Sequence, residues 1–125
     1  MIGLDPDNSR SYERLGAAYI RLGEKVAAKD ALLQAVSLHP EDADAYAELG
    51  TAYFNLGKFT QALRVLKRAN SLKPDFAITH YLLGMTYVAL NDLKSAKREY
   101  RKLIGLDNAL AKTLSGYIGE LGRRR

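Results

Sequence analysis

Few side chains in this 125-residue chain have the types and spacing that catalysis or metal binding requires. There is no cysteine, which excludes disulfides, thiolate zinc sites and cysteine nucleophiles. The two histidines, His39 and His80, are far apart in sequence and lack an i, i+4 partner, so they predict no metal site. We interpret His39, which precedes Pro40, as a solvated residue of a turn.

Three acidic residues, Glu41, Asp42 and Asp44, lie close enough in sequence to suggest a cation site. They also stand where a helix is predicted to begin, and negative charge there interacts favourably with the helix dipole. We therefore interpret the cluster as a helix start. The sequence has no Gly-rich phosphate loop, nucleophile elbow or paired-carboxylate motif. We expect no catalytic residue, no metal, no cofactor and no enzymatic activity.

The composition is typical of a folded, soluble chain, with 47% apolar and 26% charged residues. No apolar run approaches the ~20 residues of a membrane span, and the first residues lack the pattern of a signal peptide. The sequence leaves the cellular compartment open. The net charge of +5 is a weak indication of an anionic partner.

The chain repeats itself with a period of 34 residues. Pro6, Pro40 and Pro74 are 34 residues apart, and a leucine stands two positions before each of them. Three further sets share this period: Gly16, Gly50 and Gly84; Tyr19, Tyr53 and Tyr87; and Ala28, Ala62 and Ala96. So many coincidences at one period indicate a repeat architecture.

Each period contains two amphipathic helices. In the second period, Tyr46, Leu49, Gly50 and Tyr53 follow the i, i+3, i+4, i+7 spacing of a helix face, and Gly57 interrupts it. A second apolar stripe follows and ends at the next proline. The predicted helices span residues 9–22, 25–37, 43–56, 59–71, 77–90 and 93–105, and a seventh spans 109–121.

The mid-helix glycines indicate a close approach between the two helices of each unit. Each glycine destabilises its helix by about 1 kcal/mol relative to alanine. We expect this loss to be offset only where another helix must approach closely. We expect a matching small surface at Ala28, Ala62 and Ala96, surrounded by Leu32, Leu66 and Tyr100.

A 34-residue period with Leu-Gly-x-x-Tyr, then Ala-x-x-x-Leu/Tyr, then Pro resembles the tetratricopeptide repeat (TPR) family. The chain departs from the pattern at His80, which replaces an aromatic residue, and at Asn108, which replaces the last proline. The resemblance implies an all-α fold, a right-handed α-solenoid of antiparallel helix pairs with three TPR units and a capping helix. The expected organisation is the end of a preceding repeat (1–8), TPR 1 (9–42), TPR 2 (43–76), TPR 3 (77–108), and a capping helix with a basic tail (109–125). Since no cap precedes the first repeat, we expect a fragment of a longer array or a repeat covered by another subunit.

The resemblance also implies a concave groove that holds a peptide or a helix of a partner protein. On the family pattern its lining residues are Arg10, Glu13, Ala17, Ile20 and Arg21; Asp44, Ala47, Thr51, Phe54 and Asn55; and Ile78, Tyr81, Met85, Val88 and Ala89. The lining is charged at its start and apolar at its end, and an exposed apolar patch indicates a binding surface. We expect Phe54, Ile78, Tyr81 and Met85 to anchor apolar side chains of the partner, unless the capping helix covers them or they pack between repeats.

One ligand class is disfavoured by the sequence. TPR domains that bind chaperones hold a C-terminal carboxylate with Lys, Asn and Arg at fixed positions. The corresponding residues here are Glu13, Ala17, Glu48, Ile78 and Leu82. Because acids repel a carboxylate and aliphatic side chains cannot pair with one, we expect that an acidic chaperone tail does not bind.

The leading functional prediction is a non-catalytic scaffold for protein–protein interaction, with a protein or peptide partner of unknown identity. One alternative is self-assembly through the uncapped first repeat. Another is contact with an anionic surface or nucleic acid through a basic convex face formed by Lys94, Lys97, Arg98, Arg101 and Lys102. Nucleic acid is the less favoured ligand because no aromatic residue is interleaved on the helix face that these bases share. Residues 1–57 hold nine acids and five bases, and residues 58–125 hold five acids and fourteen bases, so the charge is unequal along the array.

Overall fold

The computed structural model describes residues 6–124, in which it contains seven α-helices and no strand. The helices are α1 (Pro6–Leu22), α2 (Lys25–Leu38), α3 (Ala43–Asn55), α4 (Phe59–Leu72), α5 (Ala77–Ala89), α6 (Leu93–Leu103) and α7 (Asn108–Arg124). Neighbouring helices pair as α1 with α2, α3 with α4 and α5 with α6, and each pair packs on the next. The expected all-α solenoid of helix pairs is confirmed. Residues 1–5 and 125 lie outside the described residues. Of the expected end of a preceding repeat (1–8), only residues 6–8 are described, and they belong to α1.

The turns within the pairs depend on a left-handed backbone conformation. Gly23 and Gly57 have φ angles of 77° and 75°, and Asn91 takes the same place in the third pair with φ 63°. These are the two residue types that adopt this conformation most readily, since glycine lacks a Cβ and asparagine bonds locally. The chain can therefore reverse within two or three residues and lay the second helix against the first.

Aspartates begin three of the helices. The Asp42 carboxylate accepts a hydrogen bond from the Ala45 backbone N–H at 3.2 Å, and the Asp92 carboxylate accepts one from Ser95 at 3.1 Å. Asp107 does the same at the start of α7. Each bond satisfies a backbone donor that the first helical turn leaves unpaired. The interpretation of the acidic cluster near Asp42 as a helix start is thus supported by its geometry.

The mid-helix glycines lie where a second helix presses against them. A Cβ built on Gly50 would lie 2.5 Å from the Leu66 side chain, and one on Gly16 would lie 2.5 Å from that of Leu32. The two leucines are fully buried, as are Ala28, Ala62 and Ala96. The close approach predicted for the glycines is therefore found in the first two pairs.

The third pair differs from this prediction. The atoms nearest a Cβ on Gly84 belong to Leu114 of α7, at 2.4 Å, and not to Tyr100 of α6. Tyr100 is half-buried at the edge of the cluster that Leu103 and Leu114 form. The leucine that fills the glycine notch thus comes from the seventh helix, which covers the end of the array.

The described helices contain none that is both long and apolar enough to cross a membrane.

Candidate functional site

The first helices of the three pairs, α1, α3 and α5, carry the predicted groove residues. The exposed ones are Arg10, Arg21, Asp44, Asn55 and Ala89; the half-buried ones are Glu13, Ala17, Ile20, Thr51, Phe54, Ile78, Tyr81, Met85 and Val88; and Ala47 is buried. The structure does not bring all of them to one place. Most of them divide between two adjoining hollows, which lie between α1 and α5, and a covered patch beside α7.

The first hollow, here called the acidic hollow, lies between α1 and α3 and encloses about 550 Å³. Its walls are Ser9, Arg10, Glu13, Arg14, Ala17, His39, Asp42, Asp44 and Glu48. One carboxylate oxygen from each of Glu13, Asp42 and Asp44 lies within 4.8 Å of the others. Four carboxyl groups from two helices and a turn therefore share a small, partly dry volume.

This crowding raises the pKa of two of the carboxyls. The pKa of Glu13 rises to about 8, first because the group is partly withdrawn from water and then because Asp42, Glu48 and Asp44 lie close by. The pKa of Glu48 rises to about 7, again mainly by burial, with the charges of Asp42 and Asp44 adding to it. At neutral pH Glu13 is therefore mostly protonated, and Glu48 is close to half ionised.

Glu48 also has an unpaired atom. Its Oε2 is buried and has no hydrogen-bond partner among the described residues. Asp44, in contrast, is exposed and pairs with the ammonium of Lys73 at 3.4 Å. A buried acceptor without a partner is costly, so this oxygen contributes to the unfavourable environment of the Glu48 carboxylate.

The second hollow, here called the apolar hollow, adjoins the first between α3 and α5 and encloses about 290 Å³. Its walls are Asp44, Ala47, Glu48, Thr51, Phe76, Ile78 and Leu82. Asp44 and Glu48 belong to both hollows, so the two form one continuous path across the first helices. The path offers charged and hydrogen-bonding groups at one end and room for an aliphatic side chain at the other.

The expected apolar anchors Tyr81 and Met85 do not form a free patch. Together with Val88 they pack against Leu114 and Ile118, which are buried residues of α7. The pKa of the Tyr81 hydroxyl is raised by burial and by the neighbouring Tyr117 hydroxyl of α7. The expectation is corrected for these side chains, because the capping helix folds over the end of the groove, which was the alternative interpretation.

Four other predicted residues line neither hollow: Ile20, Arg21, Phe54 and Asn55. Phe54 packs edge-on against Phe59 of α4, with ring centroids 5.2 Å apart, and Arg21 lies beyond the acidic hollow. Sequence reasoning missed Phe76, which precedes α5 and lies outside the first-helix positions used for the prediction. An apolar residue just before a helix was the available signal, since such residues fold back against the first turn.

The basic residues predicted on the convex face, Lys94, Lys97, Arg98, Arg101 and Lys102, are all exposed on α6. The remaining charged residue of that helix, Glu99, is buried and pairs with His80. His80 Nδ1 lies 2.8 Å from Glu99 Oε1, and its Nε2 donates to the Pro74 carbonyl oxygen at 2.6 Å. His80 is therefore a satisfied core residue, as expected of a packed position.

Models of the TPR family match nearly the whole helical array. Models described as "Tetratricopeptide repeat" match residues 9–42 and 77–110 and residues 31–64, and one described as "TPR repeat" matches residues 50–91. The chain belongs to the tetratricopeptide repeat family. No curated protein matches the sequence.

Solved TPR structures resemble the chain along most of its length. The first TPR of Spaghetti (RPAP3) bound to the HSP90 peptide SRMEEVD is 22% identical, with TM-score 0.86 and coverage of 93% of this chain and 94% of that one. The TPR2B domain of yeast Sti1 in its pHsp70 complex is 18% identical, with TM-score 0.86 and coverage of 94% and 98%. MamA is 30% identical, with TM-score 0.76, and the match covers 86% of this chain and 63% of MamA.

The prediction that excluded acidic chaperone tails as ligands is wrong. Domains of the same fold hold such peptides, including SRMEEVD and SGPTIEEVD. The physical error lay in treating Glu13 and Glu48 as two full negative charges, whereas their raised pKa values leave them largely or partly protonated at neutral pH. Ile78 and Leu82 line a hollow that suits an aliphatic side chain, which the carboxylate argument did not consider.

Proposed function

We propose that this chain is a non-catalytic scaffold that binds an extended peptide of a partner protein along the first helices of its repeats. The supporting observation is the continuity of the acidic and apolar hollows through the shared residues Asp44 and Glu48. A path lined by converging polar groups at one end and aliphatic groups at the other suits a peptide that presents one side chain to each.

The proposed contacts follow from the chemistry of each hollow. Arg10 and Arg14, which are exposed in the lining of the acidic hollow, offer hydrogen bonds to a peptide backbone or to polar side chains. Thr51 and Ile78 flank the space for an apolar side chain. Acidic chaperone tails belong among the candidate ligands, since structural neighbours of this chain bind them.

Nuclear magnetic resonance titration tests the proposal most directly. The ¹⁵N-labelled chain is titrated with a panel of peptides that includes SRMEEVD and SGPTIEEVD. The tightest binder is expected to shift amide signals of α1, α3 and the start of α5, and to leave those of α2, α4 and α6 largely unchanged.

Two matched variants test where on the chain the peptide binds. Thr51→Arg puts a long charged side chain into the apolar hollow and is expected to weaken the tightest peptide on the order of tenfold. Val26→Arg adds the same side chain on α2, where Val26 is 57% exposed and outside both hollows, and is expected to leave affinity unchanged. Equal affinity of the peptide for the two variants would contradict binding in the apolar hollow.

A further inference from the structure

The second helices of the second and third pairs carry a dense basic surface. On α6 the exposed bases are Lys94, Lys97, Arg98, Arg101 and Lys102, and on α4 they are Arg64, Lys67 and Arg68. Neither helix exposes an acid, because α4 contains none and Glu99, the acid of α6, is 4% exposed. Eight bases therefore face solvent from two successive helices.

The bases repeat in register. Arg64, Lys67 and Arg68 of α4 precede Arg98, Arg101 and Lys102 of α6 by one 34-residue period. The stacking of one pair on the next thus lays the two rows along the same outer side of the array. The corresponding positions of α2 hold Asp30, Leu33 and Gln34, so the rows end at the first pair.

Two exposed apolar side chains adjoin these rows. Ile104 is 53% exposed and Leu106 is 42% exposed, in the turn between α6 and α7. Together with Lys102, they line a depression of about 470 Å³. Asp75 is the acidic residue in this lining. Gly105, with φ 94°, lies between them and makes the turn tight. This combination of large aliphatic side chains and neighbouring bases resembles the surfaces of peripheral membrane proteins. In such proteins apolar side chains enter the headgroup region of the bilayer.

We propose that the face formed by these eight bases, with Ile104 and Leu106 at its edge, docks on an anionic membrane surface. The bases attract the phosphate groups of acidic lipids, and the two aliphatic side chains enter the interface. Nucleic acid fits less well, because the bases spread over two ridges and the aromatic side chains near them, Tyr46 under Arg68 and Tyr100, are half-buried rather than exposed for stacking. The inference is independent of the peptide groove.

Vesicle co-sedimentation tests the proposal. The chain is mixed with vesicles of phosphatidylcholine alone or with 30% phosphatidylglycerol, about a third of the lipid, at low and high salt. Binding is expected with the anionic vesicles at low salt, and it is expected to be lost with phosphatidylcholine alone or at about 0.5 M salt, where charge interactions are screened beyond a few ångströms.

Matched variants locate the surface. Lys67→Gln with Arg101→Gln removes one base from each row and is expected to weaken binding about thirtyfold, from about fivefold per base near the surface. Lys25→Gln with Lys112→Gln makes the same change in net charge at exposed bases outside the rows and is expected to change binding less than twofold. Ile104→Ser with Leu106→Ser leaves the charge unchanged and is expected to weaken binding several-fold.

The proposal is overturned by equal binding to neutral and anionic vesicles, or by equal losses in the two double-glutamine variants. A 20-base-pair DNA duplex and poly-glutamate serve as competing anions in the same buffer. If either binds more tightly than the vesicles and the serine variant binds like the unmodified chain, the surface serves that ligand class and the membrane proposal fails.

Discussion

In the first two helix pairs a leucine of the pair's own second helix fills the notch at the mid-helix glycine, whereas in the third pair that leucine comes from α7. The difference extends to the surface. Beside α1 and α3 the groove stays open as the two hollows, while beside the far end of α5 the helix α7 lies on Tyr81 and Met85. One repeat plan therefore provides an open binding wall and a closed end, according to which helix supplies the packing residue.

The largest expected effect comes from the leucine in the notch. Leu66→Ala removes a fully buried side chain that joins α3 to α4, and should lower the free energy of unfolding by about 3 kcal/mol in urea denaturation. Leu114→Ala removes an equally buried leucine, but one that joins only the terminal helix to the array.

Hydrogen exchange distinguishes these two outcomes. Leu66→Ala should reduce protection in α3, α4 and their neighbours together, because these helices form the middle of the array. Leu114→Ala should reduce protection mainly in α7. Equal and uniform losses in both variants would show that α7 is as integral to the array as α4.

The second comparison concerns two repeat positions whose side chains contact each other in the third pair. The third pair has His80 and Glu99 where the second pair has Tyr46 and Val65, one period earlier. His80→Ala leaves the buried Glu99 with only Lys102, at 3.7 Å, and should cost about 3 kcal/mol of unfolding free energy. Writing the second pair's residues into the third, as His80→Tyr with Glu99→Val, should recover most of that loss.

Urea denaturation of the single and double variants measures this coupling. The double variant serves as the control for loss of polar contacts as such, because it leaves no buried charge behind. A double variant as unstable as His80→Ala would mean that the hydrogen bond from His80 to the Pro74 carbonyl, rather than the His80–Glu99 contact, holds the turn before α5.

Local signals in the sequence predicted the array well. The 34-residue period, the glycine notches and the turn residues Gly23, Gly57 and Asn91 are properties of short segments, and the structure has them where they were expected. The ends of the predicted helices differ from the observed ones by up to three residues. Segment-level patterns suffice because each pair buries its own face against the next.

The groove depends on contacts that such patterns do not record. An apolar residue such as Met85 shows the same helical spacing whether it faces a ligand or the helix α7. The raised pKa values of Glu13 and Glu48 arise because residues 35 positions apart come together with Asp42, and spacing along a single helix gives no sign of it. The capping helix was predicted, whereas its covering of Tyr81 and Met85 was only one of the alternatives that the sequence left open.

The smallest expected effect is a change of stability with pH that arises in the acidic hollow. No residue of the third pair lines this hollow. The folded-state pKa values of Glu13 and Glu48, about 8 and about 7, lie above the ordinary value of 4.5. Between pH 4.5 and 8 the folded chain therefore holds more protons on these groups than the unfolded chain does, so their contribution to stability falls as pH rises and levels off above pH 8. Both carboxyls are partly exposed, so solvent screening reduces the effect, and we expect the melting temperature to fall by only a few degrees from pH 5 to pH 8.5 because of this pair.

Glu13→Gln with Glu48→Gln isolates that contribution, since glutamine keeps the shape and cannot ionise. Thermal unfolding followed by circular dichroism should show a flatter pH profile for this variant, which becomes more stable than the unmodified chain above pH 8. The exposed pair Glu24→Gln with Glu41→Gln is the control for net charge and should leave the slope unchanged. Parallel profiles for all three proteins would mean that Glu13 and Glu48 ionise like solvated carboxyls, and would restore the full negative charge that the sequence alone assigned to this end of the groove.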